Sequence, residues 1–181
     1  MKIVALDLSL KASGWCSAPA FGTLRPPTGA DRGMARLRWI RSAIYPLVTD
    51  AHLVVLEGYA YARVNQAHQL GELGGVVRLM LFDRGIRFVD VAPQCRAKFA
   101  TGKGNGTKEL VLAEAVRKLG YSGSSTDEAD ALWLWEMAAV HYGGRSAAVP
   151  TRVERPTVPQ QAALDAVPWP TMAERAVAQI A

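Results

Sequence analysis

The stretch "KIVALDLS", residues 2–9, decides the fold class. It is β-branched and apolar, it precedes the turn-prone "KASG", and it contains one acidic residue, Asp7. These features predict a buried strand. "HLVVLEG" (52–58) and "GIRFVDVA" (85–92) have the same character, and amphipathic stretches lie between the three. Buried strands that alternate with helices indicate an α/β domain.

The other segments complete the predicted order of elements. Residues 14–24, "GWCSAPAFGTL", have the pattern of a hairpin with Pro19 near its turn, so the sheet is predicted to be mixed rather than wholly parallel. Periodic apolar residues predict the helices. These are expected at about 31–48, 65–84, 93–100, 107–119 and 125–142.

The composition limits the classes of protein to which the chain can belong. The chain of 181 residues is long enough for one domain with a substantial core, and its net charge of +5 suggests an anionic partner. Cys16 and Cys95 lack metal-ligand spacing and are predicted to be free thiols in a reducing compartment. The start "MKIVALDLSL" lacks a signal-peptide pattern, and no stretch approaches the ~20 apolar residues that cross a bilayer. A cytoplasmic protein without a membrane partner is expected.

The composition changes near residue 145. The stretch "AAVPTRVERPTVPQQAALDAVPWP" is rich in proline and has little periodicity. We therefore expect one folded domain over 1–145 and a disordered tail over 146–181, with a short terminal helix at "TMAERAVAQIA". Truncation near residue 146 is expected to preserve the fold.

Two acidic residues end predicted buried strands. Asp7 follows "KIVAL", and Glu57 ends "HLVVLE". An ionised carboxylate among apolar residues is costly unless it is paired or binds a metal. Because ligand sites of α/β sheets lie beyond the carboxyl ends of parallel strands, both residues are candidates for one site. Alternatively, Asp7 caps the following turn and Glu57 faces solvent.

Three more acidic residues begin the last predicted helix, in "YSGSSTDEADALWLW" (121–135). Asp127 and Asp130 are three positions apart and share a face, which the following apolar residues mark as the buried one. Glu128 points about 100° away, and it forms the pattern S-x-x-E with Ser125, which predicts a capping box. Capping accounts for Glu128 and is sufficient for Asp127, but it does not explain an acidic residue on the apolar face at Asp130.

Four carboxylates are thus candidates to converge from two strand ends and one helix start. They are Asp7, Glu57, Asp127 and Asp130. Oxygen ligands favour hard cations such as Mg²⁺, and Mn²⁺ is expected to substitute. Two such ions ~4 Å apart suit in-line displacement at phosphate. The sequence shows no Ser-His-Asp arrangement or Cys/His cluster that competes with this interpretation.

Five blocks of the sequence occur in the order and spacing of the RuvC family of Holliday-junction resolvases, which roughly residues 1–142 resemble. The blocks are "IVALDLSLKASGW", "VVLEGYAY", "HQLGELGGVVRLML", "APQCRAKFATGKGNGTKELV" and "DEADALWLW". The resemblance implies an RNase H-like fold, a mixed sheet with an N-terminal antiparallel hairpin and then parallel strands, flanked by helices on both faces. It implies a homodimer whose subunits each nick one strand of a four-way DNA junction, leaving 5′-phosphate and 3′-hydroxyl ends. By position, Asp7 would bridge two Mg²⁺ ions and the other three carboxylates would complete their shells.

The segment around the glycine loop "TGKGNG" is predicted to contact DNA. Lys98 and Lys108 fall on the two lysines that flank this loop in the family, and Lys108 is expected near the scissile phosphate, with a catalytic role. Arg96 and Lys103 lie in the same basic segment, where phosphate contacts would position the strand. Alternatively, the segment is only a solvated basic loop and helix.

Two further features are carried over from the family by position, and each has an alternative interpretation. Tyr59 and Tyr61 flank the position where the family tends to have an aromatic residue, so either would stack on an unpaired base, or pack in the core. The glycine-rich helix at "LGELGGVV" corresponds to the family's dimer interface, or else packs closely on the sheet. After Asp7 the family often has Pro-Gly, whereas this chain has Leu8 and Ser9.

The predicted function is therefore a metal-dependent endodeoxyribonuclease that resolves four-way junctions, in a bacterium or in the host of a bacteriophage. A helicase partner is left open. One alternative is a nuclease of the same fold that acts on forks, flaps or other branched DNA, and another is a non-catalytic DNA-binding protein. Sugar-kinase and actin-like ATPases also begin with a strand-end Asp, but they need two domains and the chain is too short.

Overall fold

The computed structural model of the chain describes residues 1–58, 67–143 and 151–171. The described strands are β1 (Ile3–Asp7), β2 (Ser13–Ser17), β3 (Ala20–Leu24), β4 (Leu53–Glu57) and β5 (Phe88–Val91). The described helices are α1 (Gly33–Val48), α2 (Ala67–Asp83), α3 (Pro93–Thr101), α4 (Lys108–Leu119), α5 (Thr126–His141) and α6 (Val158–Asp165).

The strands form one mixed sheet in the order β3-β2-β1-β4-β5. The pairs β1–β2 and β2–β3 are antiparallel, whereas β1–β4 and β4–β5 are parallel. The predicted mixed α/β sheet is therefore confirmed. Its parallel part places the carboxyl ends of β1, β4 and β5 at one edge.

Two hydrophobic cores lie on opposite faces of the sheet because side chains alternate along each strand. On one face, Val4 and Leu6 of β1 pack with α1 and α2. On the other face, Ile3 and Ala5 pack with helices α3 to α6. Helices thus cover both faces, as predicted. The same alternation turns the next residue, Asp7, toward the face that α5 covers.

The prediction of a disordered tail is wrong for residues 151–171. This segment, which we call the strap, crosses α3 and α5 and contains α6. Its apolar residues Ala163, Leu164 and Val167 are buried in the same core as α5. The apolar face of the strap is short, and the prolines around it obscure its periodicity in the sequence. The predicted terminal helix at 171–181 lies almost wholly outside the described residues.

Polar contacts also hold the strap. Glu136 of α5 is buried, and its Oε1 accepts hydrogen bonds from the backbone N–H groups of Arg152 (2.6 Å) and Val153 (2.7 Å). Gln160 Nε2 donates to the carbonyl of Phe99 in α3 at 3.1 Å. Trp169 stacks on His141 with ring centroids 4.9 Å apart. These contacts therefore hold the strap against α3 and α5.

Two further expectations concern the cysteines and the membrane. Cys16 is buried and Cys95 is half-buried, and neither forms a disulfide. Burial raises the pKa of the Cys16 thiol to about 12, so this thiol stays protonated. Among the described helices, none has the length and apolarity required to span a bilayer.

Candidate metal centre

The sheet brings Asp7 and Glu57 side by side. β1 and β4 are parallel neighbours in which Leu6 pairs with Leu56, so the next residue of each strand is an acidic one. In each strand, the residue two positions before the acidic one lies in the core on the α5 face. Side chains two positions apart in a strand point to the same side of the sheet. The carboxylates therefore point to the same side at the carboxyl edge of the sheet, as the sequence predicts.

A glycine in β2 lets the start of α5 approach this edge. Gly14 is the partner of Asp7 across the β1–β2 ladder. A Cβ atom at Gly14 would lie 1.9 Å from the carbonyl oxygen of Asp127. Only a residue without a side chain permits this contact. The first turn of α5 thus rests on β2, and it carries Asp130 to the buried side of the site, where its side chain is 1% exposed.

Gly14→Ala is expected to lower the free energy of unfolding by about 3 kcal/mol or more, because the added methyl group must displace α5 or β2. Urea denaturation followed by circular dichroism measures this loss. Gly104→Ala, in the exposed loop between α3 and α4, is the control, since the nearest contact of its Cβ is an ordinary one at 3.5 Å, and it is expected to change the free energy of unfolding by no more than about 0.5 kcal/mol. Unchanged unfolding of Gly14→Ala would mean that α5 does not rest on β2.

Three of the four predicted carboxylates form one cluster. Ligand oxygens of Asp7, Glu57 and Asp130 all lie within 4.8 Å of one another. Burial, and then the charges of Glu57 and Asp130, raise the pKa of Asp7 well above its usual value. Burial raises the pKa of Asp130 to about 6, although the Arg96 guanidinium opposes the shift. Crowded, buried carboxylates of this kind bind a cation readily because it removes their mutual repulsion.

Arg96 lies within this cluster rather than on a basic surface, and its predicted contact with DNA stays a prediction. Its Nε donates to Glu57 Oε1 at 2.6 Å, and its Nη1 donates to Asp130 Oδ1 at 2.5 Å. The side chain is 7% exposed. Composition made Arg96 look like part of a basic surface, whereas its place on α3 turns it inward. The spacing to Phe99 and Ala100, which are buried on the same face, is the signal that indicates burial.

The fourth carboxylate lies at the rim of the cluster with Lys108. Lys108 Nζ is 3.7 Å from Asp127 Oδ1 and 3.7 Å from Asp130 Oδ2. Asp127 and Asp130 therefore face the same side, as the helical spacing predicts. Lys108 is the first residue of α4, whose start Thr107 caps by accepting a hydrogen bond from the N–H of Leu110. This cap fixes where the lysine enters the site.

Glu128 faces away from the cluster, as predicted, but the capping box is only half formed. Ser125 does cap α5, since its Oγ accepts a hydrogen bond from Glu128 N at 3.3 Å. The Glu128 carboxylate instead accepts hydrogen bonds from Thr23 Oγ1 (2.7 Å) and from the Tyr121 hydroxyl (2.8 Å). It therefore links α5 to β3 and has no part in the metal centre.

The remaining predicted DNA contacts lie beside the site or outside the described residues. Lys98 is half-buried on α3, and Lys103 is exposed in the loop between α3 and α4. This loop begins at Gly102, which ends α3 in the left-handed conformation with a φ of 81°. Tyr59 and Tyr61 fall outside the described residues, so their predicted stacking stays a prediction.

The donor set fits a divalent metal ion. All of the available ligand atoms are carboxylate oxygens, which suit Mg²⁺ and Mn²⁺. In addition, Asp130 Oδ2 is buried and has no hydrogen-bond partner among the described residues. A buried acceptor without a donor is costly, and a bound cation would satisfy it. The cluster is therefore compatible with divalent metal binding.

The mixed sheet, which begins with an antiparallel hairpin, continues with parallel strands and is flanked by helices on both faces, belongs to the RNase H-like class of folds. Within this class, the chain is similar to solved structures of RuvC from Thermus thermophilus. One of them matches with a TM-score of 0.63 at 18% identity, over 79% of this chain and 97% of that chain. Another, RuvC from the same organism in complex with Holliday junction substrate, matches with a TM-score of 0.62 at 18% identity, over 75% and 90%.

These matches concern the fold. No family model matches the sequence, and no curated protein does. The chain has a RuvC-like fold, and the fold that the sequence resemblance implies is thereby confirmed.

Proposed function

We propose that the protein is a metal-dependent endodeoxyribonuclease that resolves four-way DNA junctions by paired, symmetric nicks. The observation that carries this proposal is the convergence of Asp7, Glu57 and Asp130 at the carboxyl edge of a RuvC-like sheet, where one buried oxygen has no hydrogen-bond partner among the described residues. A similar solved structure is a complex of RuvC with Holliday junction substrate. The net charge of +5 suits a DNA partner.

In this proposal Asp7, Glu57 and Asp130 hold the metal, and Asp127 contributes at the rim. When bound, divalent ions supply a Lewis acid that activates water and stabilises the leaving oxygen. The protein itself positions the DNA. Lys108 Nζ lies between two carboxylates at the open side of the cluster, within reach of a phosphate that approaches Asp127. The products would carry 5′-phosphate and 3′-hydroxyl ends.

A second copy of the chain completes the proposed enzyme, since symmetric nicks require two sites. The outer face of α2 supports this: Leu79 is 60% exposed and Phe82 is 42% exposed. Gly75 is on the same face and leaves room for close approach. Gly74, by contrast, is buried, and the use of the glycine-rich stretch as a dimer interface stays a prediction. Sedimentation equilibrium tests the dimer.

The decisive experiment incubates the full chain with a labelled four-way junction, a fork, a flap and a linear duplex, with Mg²⁺ or with EDTA. We expect paired nicks, sealed by ligase, in the junction with Mg²⁺ alone. Equal or faster cutting of forks and flaps would mean a nuclease of the same fold with another substrate. Absence of any metal-dependent cutting would overturn the proposal.

Lys108→Ala is expected to slow junction nicking by about 10²-fold, as for loss of a group that stabilises charge in the transition state. Binding should weaken only slightly. Lys103→Ala is the matched control. Because Lys103 lies in an exposed loop, its removal should reduce the affinity for the junction, and the salt dependence of that affinity, more than it reduces the nicking rate. Single-turnover kinetics and binding titrations measure both quantities. The opposite ranking would make Lys108 a phosphate clamp.

A further inference from the structure

The cluster of three carboxylates already contains a cation supplied by the protein. Arg96 reaches in from α3 and bridges Glu57 and Asp130 with two different nitrogens. Burial disfavours its charge, but the surrounding carboxylates more than compensate and raise its pKa. The guanidinium is therefore a fixed positive charge inside the candidate metal centre.

The geometry leaves little space for a second cation in the same place. The ligand oxygens of the three carboxylates lie within 4.8 Å of one another. Arg96 uses one oxygen of Glu57 and one of Asp130. A metal ion bound to these two residues and Asp7 would lie next to the guanidinium, whichever of their oxygens it used, and the two cations carry charges of the same sign.

Arg96 satisfies the cluster only in part. Asp7 receives no hydrogen bond from Arg96, and Asp130 Oδ2 has no hydrogen-bond partner among the described residues. Arg96 supplies one positive charge to three clustered carboxylates, and a buried charge that is left without a partner is costly. The remaining acceptors thus point to a further cation that replaces the guanidinium.

We propose that Arg96 is a resident competitor of the metal, which holds Glu57 and Asp130 in place without metal and which a divalent ion displaces on binding. This inference rests on the proposed function, because it concerns the same metal centre. It makes Arg96 a positioning residue in the metal-free protein and the determinant of metal affinity. Lys108 differs from Arg96, because its Nζ is 3.7 Å from an oxygen of each of its two carboxylates and its side chain is 47% exposed.

The test measures Mn²⁺ binding to the full-length protein by isothermal titration calorimetry, with the thermal midpoint recorded with and without Mn²⁺. Arg96→Gln is expected to unfold at a lower temperature without metal and to bind Mn²⁺ at least about tenfold more tightly. The rise of its midpoint on adding Mn²⁺ should therefore exceed that of wild type. Arg117→Gln is the control, because Arg117 is exposed and pairs with Glu114 on α4; it should bind Mn²⁺ as wild type does.

A folded Arg96→Gln protein that binds Mn²⁺ with wild-type or weaker affinity would overturn the inference. If this variant does not fold without metal, refolding on addition of Mn²⁺ supports the inference. Failure to refold with Mn²⁺, together with wild-type affinity in Arg96→Lys, overturns it. Wild-type protein that binds no Mn²⁺ would instead contradict the proposed function. Binding by wild type without any change in Arg96→Gln would contradict the role of Arg96 alone.

Discussion

Asp7→Asn is expected to abolish metal-dependent nicking and at the same time to make the metal-free protein more stable. The loss of activity should exceed about 10³-fold, since the central carboxylate of the cluster is removed. The gain in stability follows from burial. Asp7 is 6% exposed, and its neighbours Glu57 and Asp130 are also acidic. Asparagine removes this unfavourable charge, and we expect a gain of about 1–2 kcal/mol.

The pH dependence of this gain identifies its cause. The pKa of Asp7 in the folded state is raised above the unfolded value, near 3.8, so the folded state holds the proton more tightly. Stability that comes from this group is complete at low pH and is lost as the pH rises from the unfolded pKa toward the folded one. The stabilising effect of Asp7→Asn should therefore be small near about pH 4 and larger near about pH 7.

Thermal unfolding in EDTA at several pH values measures the effect, and Asp31→Asn, in an exposed loop, is the matched control. The control should neither change nicking nor show the pH-dependent gain. If Asp7→Asn retained Mg²⁺-dependent nicking, Asp7 would not be a metal ligand. If it were destabilised equally at all pH values, the carboxylate would be a structural hydrogen-bonding group rather than a strained one.

Truncation after residue 145 is expected to lower the free energy of unfolding by roughly 4 kcal/mol or more. The sequence alone predicts the opposite result. The strap buries Leu164 and Val167, and truncation would expose the apolar surface that they cover. It would also remove both backbone donors from the Glu136 carboxylate. Burial already raises the pKa of Glu136, so its carboxylate depends on these donors.

Point substitutions separate the strap's contacts from the effects of shortening the chain. Leu164→Ala should cost about 2–4 kcal/mol, because Leu164 is 2% exposed. Val158→Ala on the same helix is the control, since Val158 is 85% exposed. Urea denaturation of the three variants gives the comparison. A truncated protein with the wild-type midpoint would show that the strap is not part of the folded domain.

The sequence predicts most of the fold because the relevant signals are local. Short apolar runs predict the strands, and apolar residues repeating every three to four positions predict the helices. The predicted strand ends place Asp7 and Glu57 at one edge of the sheet. Asp130 is predicted because an acidic residue on an apolar helix face requires a partner. The identity of that partner is a tertiary fact: Arg96 lies on another helix, and a count of basic residues assigns it to the surface instead.

The sequence does not predict the folded strap, for a related reason. Prolines obscure the helix at Val158–Asp165, although the pattern T-x-x-Q at Thr157 marks its start. Gln160 Oε1 does accept a hydrogen bond from Thr157 N at 2.9 Å. The burial of α6 depends on the surface of α3, which no local pattern of the segment reveals.

The long separation between Asp7 and Asp130 has a consequence for biosynthesis. The first lies in the first strand and the second in the last long helix, so the carboxylate cluster forms only after nearly the whole domain has left the ribosome. A nascent chain therefore carries no assembled carboxylate cluster, and under the function proposed above it would not yet nick DNA. Folding must also bring together two residues that lie far apart in the sequence, which adds to the entropy cost of forming the cluster.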